Sequence, residues 1–122
     1  MNVPERGAII RYSYLWADEN ARGQEEGLKH RPTLVLALAV RKDDGATELL
    51  VLPVTHTPPR RETDAVSLPA DIKQRIGLDD APSWIVTTEA NLFFWPGPDV
   101  QPVPGRKPVT PVYGHIPEPL LT

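Results

Sequence analysis

The residues of this chain that could carry chemistry gather around two positions, Arg31 and Thr55, with Glu25, Glu26, Lys29, His30, His56, Arg60 and Arg61 beside them in sequence. A guanidinium presents a planar fork of donors that fits two phosphate oxygens, and it stays charged at any working pH. A threonine hydroxyl donates or accepts one further hydrogen bond to the same group. Histidine exchanges a proton near neutrality, so His56 suits a proton carrier. The residue types alone leave the ligand open: a charge fixed at the mouth of a rigid strand can position a ligand or a reacting group. Other chemistries find no pattern. His30, His56 and His115 lack metal-ligand spacing, and no HExxH is present. There is no phosphate-cradling glycine loop, no GxGxxG and no G-x-S-x-G elbow. Taken singly, each candidate has an ordinary structural reading. Arg31 is then a surface cation before a strand, Thr55 a strand residue and His56 a turn histidine. Glu25 and Glu26 are then loop carboxylates, and Arg60 and Arg61 a solvated pair.

The elements that must position them are clearer. Lys29-His30-Arg31-Pro32 leads into Thr33–Val40, an apolar run without a charge until Arg41. It reads as a strand buried on both faces at the centre of a sheet, with Pro32 at its entry, where a missing N–H costs least. Arg41–Ala46 holds Asp44-Gly45, a hairpin signal, and Thr47–Thr55 is the returning strand. A turn centred on Asp44-Gly45 makes paired residue numbers sum to about 89, with Thr55 near Leu34 and Arg31 opposite Pro58. Arg31 and Thr55 then sit at one open end of a hairpin, roughly 10 Å apart along it. Whether they share a face stays open, because a slip of one residue reverses it.

The flanking chain reads as short strands and loops. Gly7–Trp16 alternates like an edge or partly solvated strand, because Arg11 and Ser13 break its second face. Ala17–Lys29 is a polar loop of about 13 residues, long for a small domain. His56–Asp64 is a loop and Ala65–Leu68 a short strand. Pro69–Leu78 reads as a short helix, with Ile72 and Ile76 on one side and Gly77 as its stop. Ser83–Thr88 is a strand that Glu89–Trp95 continues after a bend. Eight of the 15 prolines fall between Pro96 and Pro119, which predicts an irregular, partly extended arm over 96–122. Tyr113–Pro117 is its one expected contact with the body.

Composition bounds the class. The 122 residues suffice for one domain with a modest core, and 40% hydrophobic content excludes a disordered chain. Absence of cysteine removes disulfides and thiolate metal sites. No apolar run is long enough to span a bilayer, and the first residues show no signal-peptide core, so no membrane contact and a cytoplasmic location are expected. A net charge of -3 argues against a broadly basic nucleic-acid surface but leaves room for a local basic patch. The expected fold is mainly β, a small domain with one or two short helices.

An ordered set of motifs resembles the MazF/PemK family of toxin endoribonucleases. Arg6-Gly7-Ala8-Ile9 is similar to the family's opening RGD plus apolar strand, with Ala8 in place of aspartate. An acidic, glycine-containing loop then precedes His30-Arg31-Pro32-x-Leu34-Val35-Leu36. Leu52-Pro53-Val54-Thr55 is similar to its apolar-P-x-T. Val66-Ser67-Leu68, Gly77-Leu78 and Ser83-Trp84-Ile85-Val86 follow in the family's order. The likeness spans roughly residues 6 to 95. Ala37 stands where the family has serine, Thr88-Glu89 where it has aspartate-glutamine, and proline-rich sequence where it has a C-terminal helix.

The resemblance implies a small SH3-like barrel of the CcdB/PemK type. It implies the toxin of a type II toxin–antitoxin pair, a homodimer that cuts single-stranded mRNA without metal or cofactor. Arg31 is then the main catalytic residue, Thr55 the second phosphate ligand, and Glu26 or Glu25 the family's supporting carboxylate. The cognate antitoxin is the expected protein partner. Lys29, Arg60 and Arg61, with His30, would concentrate positive charge where RNA lies. The competing expectation is the same barrel without catalysis, as a binding module or a gyrase-directed toxin resembling CcdB.

Overall fold

A computed structural model describes residues 3–13, 30–97 and 100–121, and among these residues seven antiparallel strands and one short helix build the fold. The strands are β1 (Ala8–Ser13), β2 (His30–Val40), β3 (Thr47–Thr55), β4 (Ala65–Leu68), β5 (Ser83–Val86), β6 (Asn91–Trp95) and β7 (Val112–His115). The helix α1 (Ala70–Ile76) lies between β4 and β5, and 3-10 turns occupy Glu62–Asp64 and Glu118–Leu121. The sheet order is β4-β5-β3-β2-β1-β7. β3 forks. Its first half, Thr47–Val51, pairs with β6, and its last two residues, Val54 and Thr55, pair with Ile85 and Trp84 of β5.

Strand alternation divides the core into two layers. On one face Ile9, Leu34, Leu52 and Val54 pack with Leu68, Ile85, Ile116 and the helix residues Ile72 and Ile76. On the other, Ala8, Ile10, Tyr12, Val35, Leu49 and Val51 pack with Trp95. Tyr12 stacks on Phe93 with ring centroids 4.6 Å apart. The helix is short, and its end is well defined. Gly77 adopts φ +82°, which only glycine reaches without strain, and the Leu78 N–H reaches back to the Lys73 carbonyl at 2.9 Å.

Four expectations need correction. Of the Gly7–Trp16 strand, the described part β1 is no edge, since it lies between β2 and β7; its half-buried Arg11 fits the partly solvated alternative, and Tyr14–Trp16 lie outside the described residues. β2 is buried over Thr33–Val35, while Ala37–Val40 is exposed: β1 stops pairing at Leu34, and among the described residues the outer half of β2 is joined to β3 alone. The proline-rich arm returns to the body as a strand. β7 pairs with β1, and the Arg106 guanidinium donates to the carbonyls of Tyr113 and Ile76 at 2.9 Å each, tying the arm to the end of α1. Glu89–Trp95 likewise leaves the path of β5 to pair with β3 as β6. No helix among the described residues is long and apolar enough to cross a membrane.

Candidate functional site

One extra residue in β2 decides what faces what at the open end of the hairpin. From the turn inward, Val40 pairs with Thr47, Leu38 with Leu49 and Ala37 with Leu50. A bulge follows between Val35 and Ala37, after which Val35 pairs with Val51, Leu34 with Leu52 and Thr33 with Pro53. The register is therefore tighter than an Asp44-Gly45 turn implies. Gly45 instead closes a longer loop at φ +72°, where the Arg41 N–H bonds Ala46 O at 2.8 Å and the Asp44 carboxylate accepts from the Ala46 N–H. Carrying the inner register two residues on sets Arg31 across from Thr55. Directly opposed residues share a face, so the question the sequence left open is answered by the bulge.

Two cavities meet at this pair. The larger, about 540 Å³, is lined by Arg31, Thr55, Thr57, Pro58 and Arg60, with Asp64, Val86, Thr88 and Glu89 across from them. The smaller, about 360 Å³, is lined by Arg31, Thr55, His56 and Thr57, with Lys73, Asp79 and Ser83 among the rest. Arg31, Thr55 and Thr57 border both. The local backbone is set by Thr55, whose hydroxyl accepts the Thr57 N–H at 3.1 Å and turns the chain away from the strand. A two-sided cleft with a half-buried guanidinium and a hydroxyl at its waist suits a phosphate carrying a group on each side.

The wall of the smaller cavity is a closed hydrogen-bond circuit. Lys73 projects from α1 and is almost fully buried. Its ammonium donates to Asp79 Oδ1 at 3.0 Å, to Ser83 Oγ at 2.7 Å and to the Ala81 carbonyl. Asp79 Oδ2 lies 3.0 Å from His56 Nε2, and His56 Nδ1 lies 3.0 Å from Ser83 Oγ and 2.9 Å from Pro82 O. Burial pushes the Asp79 carboxyl upward. The hydrogen bond from Lys73, with the charges of His56 and Lys73, outweighs it and holds the group below its ordinary value. Each ring nitrogen of His56 already has a partner, so the ring can exchange a proton with a ligand only by releasing one of these bonds.

The cleft thus brings together Arg31, Thr55, His56 and Arg60 of the residues expected from sequence. Arg61 is exposed at the start of the 3-10 turn and lines neither cavity. His30 opens β2 opposite Ser13. Lys29, Glu25 and Glu26 lie outside the described residues. Sequence reasoning missed Lys73, Asp79 and Ser83. The sequence sets none of them apart, because Lys73 stands among Asp71, Gln74 and Arg75 in a short helix and reads as one more solvated charge. No family model, curated protein or solved structure matches this chain.

Proposed function

We propose that this protein is a metal-independent endoribonuclease of the MazF/PemK kind, the toxin of a type II toxin–antitoxin pair. The single observation that carries the reading is that Arg31 and Thr55 both line the same two cavities, at the waist where these join. RNA brings its own nucleophile. The 2′-oxygen attacks the adjacent phosphorus and gives up its proton, the bond from phosphorus to the 5′-oxygen breaks, and that oxygen takes a proton. Products are a 2′,3′-cyclic phosphate and a 5′-hydroxyl. The protein's task is to orient the phosphate and to stabilise charge that grows on its oxygens.

In this reading Arg31 grips two phosphate oxygens and Thr55 donates to one of them. Nucleotides on the two sides of the phosphate occupy the two cavities. Arg60 adds positive charge to the larger one, and Lys29 and Arg61 extend the basic end of the hairpin. His56 exchanges protons on releasing one of its bonds, and Glu25 or Glu26 is the supporting carboxylate. Forking of the sheet at β3 supports an SH3-like barrel, and the chain acts as a cytoplasmic homodimer whose cleft an acidic antitoxin segment blocks.

The test is incubation of the purified protein with a long RNA in EDTA, followed by mapping of ends. Discrete cuts leaving cyclic phosphates are expected, and Arg31→Ala, shown to be folded by circular dichroism, should make none. Full cleavage by that folded variant, or intact RNA with the unaltered protein, would remove the reading. In the second case the cleft is that of a binding module or a gyrase-directed toxin.

A further inference from the structure

Among the described residues, the outer half of β2 is apolar, exposed and paired on one edge only. Leu38 is 38% exposed and Val40 67%. On the β1 side the last contacts are the Gly7 N–H on Val35 O at 2.8 Å and Arg6 Nε on Leu36 O at 3.1 Å. Beyond them, among the described residues, Ala37–Val40 bonds only to β3. Such an edge has unfilled N–H and C=O groups at strand spacing, flanked by apolar side chains. It lacks the lysine, proline or inward charge with which proteins usually blunt an edge. Half of the uncharged run Thr33–Val40 is therefore unused by the core of one chain.

We propose that this edge pairs with the same edge of a second copy, antiparallel, about a two-fold axis through Ala39. An isologous contact needs only self-complementarity, and the pattern supplies it. Keeping each face of the joined sheet continuous requires the axis to pass through a residue rather than between two. An axis through Leu38 would carry the second strand against the Arg6 side chain at Leu36. An axis through Ala39 sets Leu38 opposite Val40 of the second copy, twice, so that the two exposed large residues cover each other. Ala37 and Ala39 present only methyl groups on the other face. This deepens the homodimer of the proposed function by giving its surface. It also places the two Arg31 residues at opposite ends of the paired strands, roughly 50 Å apart at strand spacing, so each cleft is complete within one chain.

The experiment is sedimentation equilibrium over a wide concentration range. The unaltered chain should be a dimer. Ala39→Lys and Ala39→Glu each set like charges face to face on the axis and should raise the dissociation constant at least about tenfold. Mixed in equal amounts, they should form a heterodimer. The chain has no cysteine, so Ala39→Cys gives a single covalent product on mild oxidation. Opposed strand residues lie roughly 4.5–5.5 Å apart, within disulfide reach. A monomeric unaltered chain, dimers that ignore both charges, a mixture of folded variants that does not pair, or no cross-link would each overturn the proposal. None of these readouts involves RNA, so a failure here leaves the nuclease reading standing, and the reverse holds too.

Discussion

Replacing Lys73 with methionine tests how the wall of the smaller cavity is held. The ammonium loses three acceptors, Asp79, Ser83 and the Ala81 carbonyl. A hydrogen bond from a charged donor contributes roughly 1.5–3 kcal/mol. The Asp79 side chain is 59% exposed, so water takes over its share and that bond counts little. Ser83 Oγ keeps His56 at 3.0 Å and Ala81 O at 3.2 Å as neighbours, which softens the loss of the other two. Burying a methionine stem beside Ile72 and Ile76 returns part of what remains. The net expectation is a loss of about 2–3 kcal/mol, a fall in Tm of roughly 6–15 °C for a domain of this size.

The pH dependence gives a second readout with a fixed sign. Asp79 titrates lower in the folded chain than its ordinary value of 3.8. Below that value the unfolded chain takes up a proton that the folded chain does not, so stability contributed by this group is present above pH 3.8 and is lost as pH falls through the folded value. Lys73→Met removes the hydrogen bond that depresses Asp79, so the slope of stability against pH below about 4 should flatten. Urea melts of both proteins between neutral and acid pH would measure it. Equal stability and parallel slopes would refute the assignment of Lys73 as anchor of the circuit.

Thr55→Val should slow RNA cleavage by about 10²-fold, the usual effect of removing one transition-state donor, and Arg31→Lys should fail because an ammonium lacks the bidentate fork; single-turnover rates on one defined RNA check both. Arg60→Glu with Arg61→Glu should weaken RNA and antitoxin binding together, with a shallower dependence of RNA affinity on salt. Titrations at several salt concentrations measure this, and unchanged slopes would count against a basic cleft. Gly114→Ala should cost roughly 1–3 kcal/mol in a thermal melt, because a Cβ at Gly114 would overlap Ile76 of the helix.

Much of the architecture was legible because it depends on local alternation. Thr47–Thr55, Ala65–Leu68 and the helix at 70–76 follow from period and from the proline and glycine that bound it. What failed depended on distant partners. An apolar run such as Thr33–Val40 looks the same whether both its edges are filled or one is bare. Prolines hid β7, yet none falls within Val112–His115, which leaves its N–H groups free to pair with β1. Arg31 and Thr55 were singled out by the likeness of His30-Arg31-Pro32 and Leu52-Pro53-Val54-Thr55 to family motifs, and the hairpin between them set both at its open end. The register of that hairpin was not legible, since the bulge follows from no residue type in Val35-Leu36-Ala37. The circuit through Lys73, Asp79, Ser83 and His56 joins α1, a turn, β5 and the end of β3, and no short sequence window holds all four.

The bulge at Leu36 gives the hairpin two phases. The half near the turn and the half near the cleft keep separate counts, and Leu36 is where one count hands over to the other. Remodelling the Arg41–Ala46 loop would change the first phase and leave the second where the β1 ladder pins it. Deleting Leu36 would bring Val35 beside Ala37, so that Ala37–Leu50 and Val35–Val51 become successive pairs and Arg31 keeps Thr55 across from it. Pairing Leu36 into the ladder would do otherwise: the outer count would run straight through, and Arg31 would come to face His56 in place of Thr55. One residue left out of the ladder thus chooses the partner of a side chain five positions away.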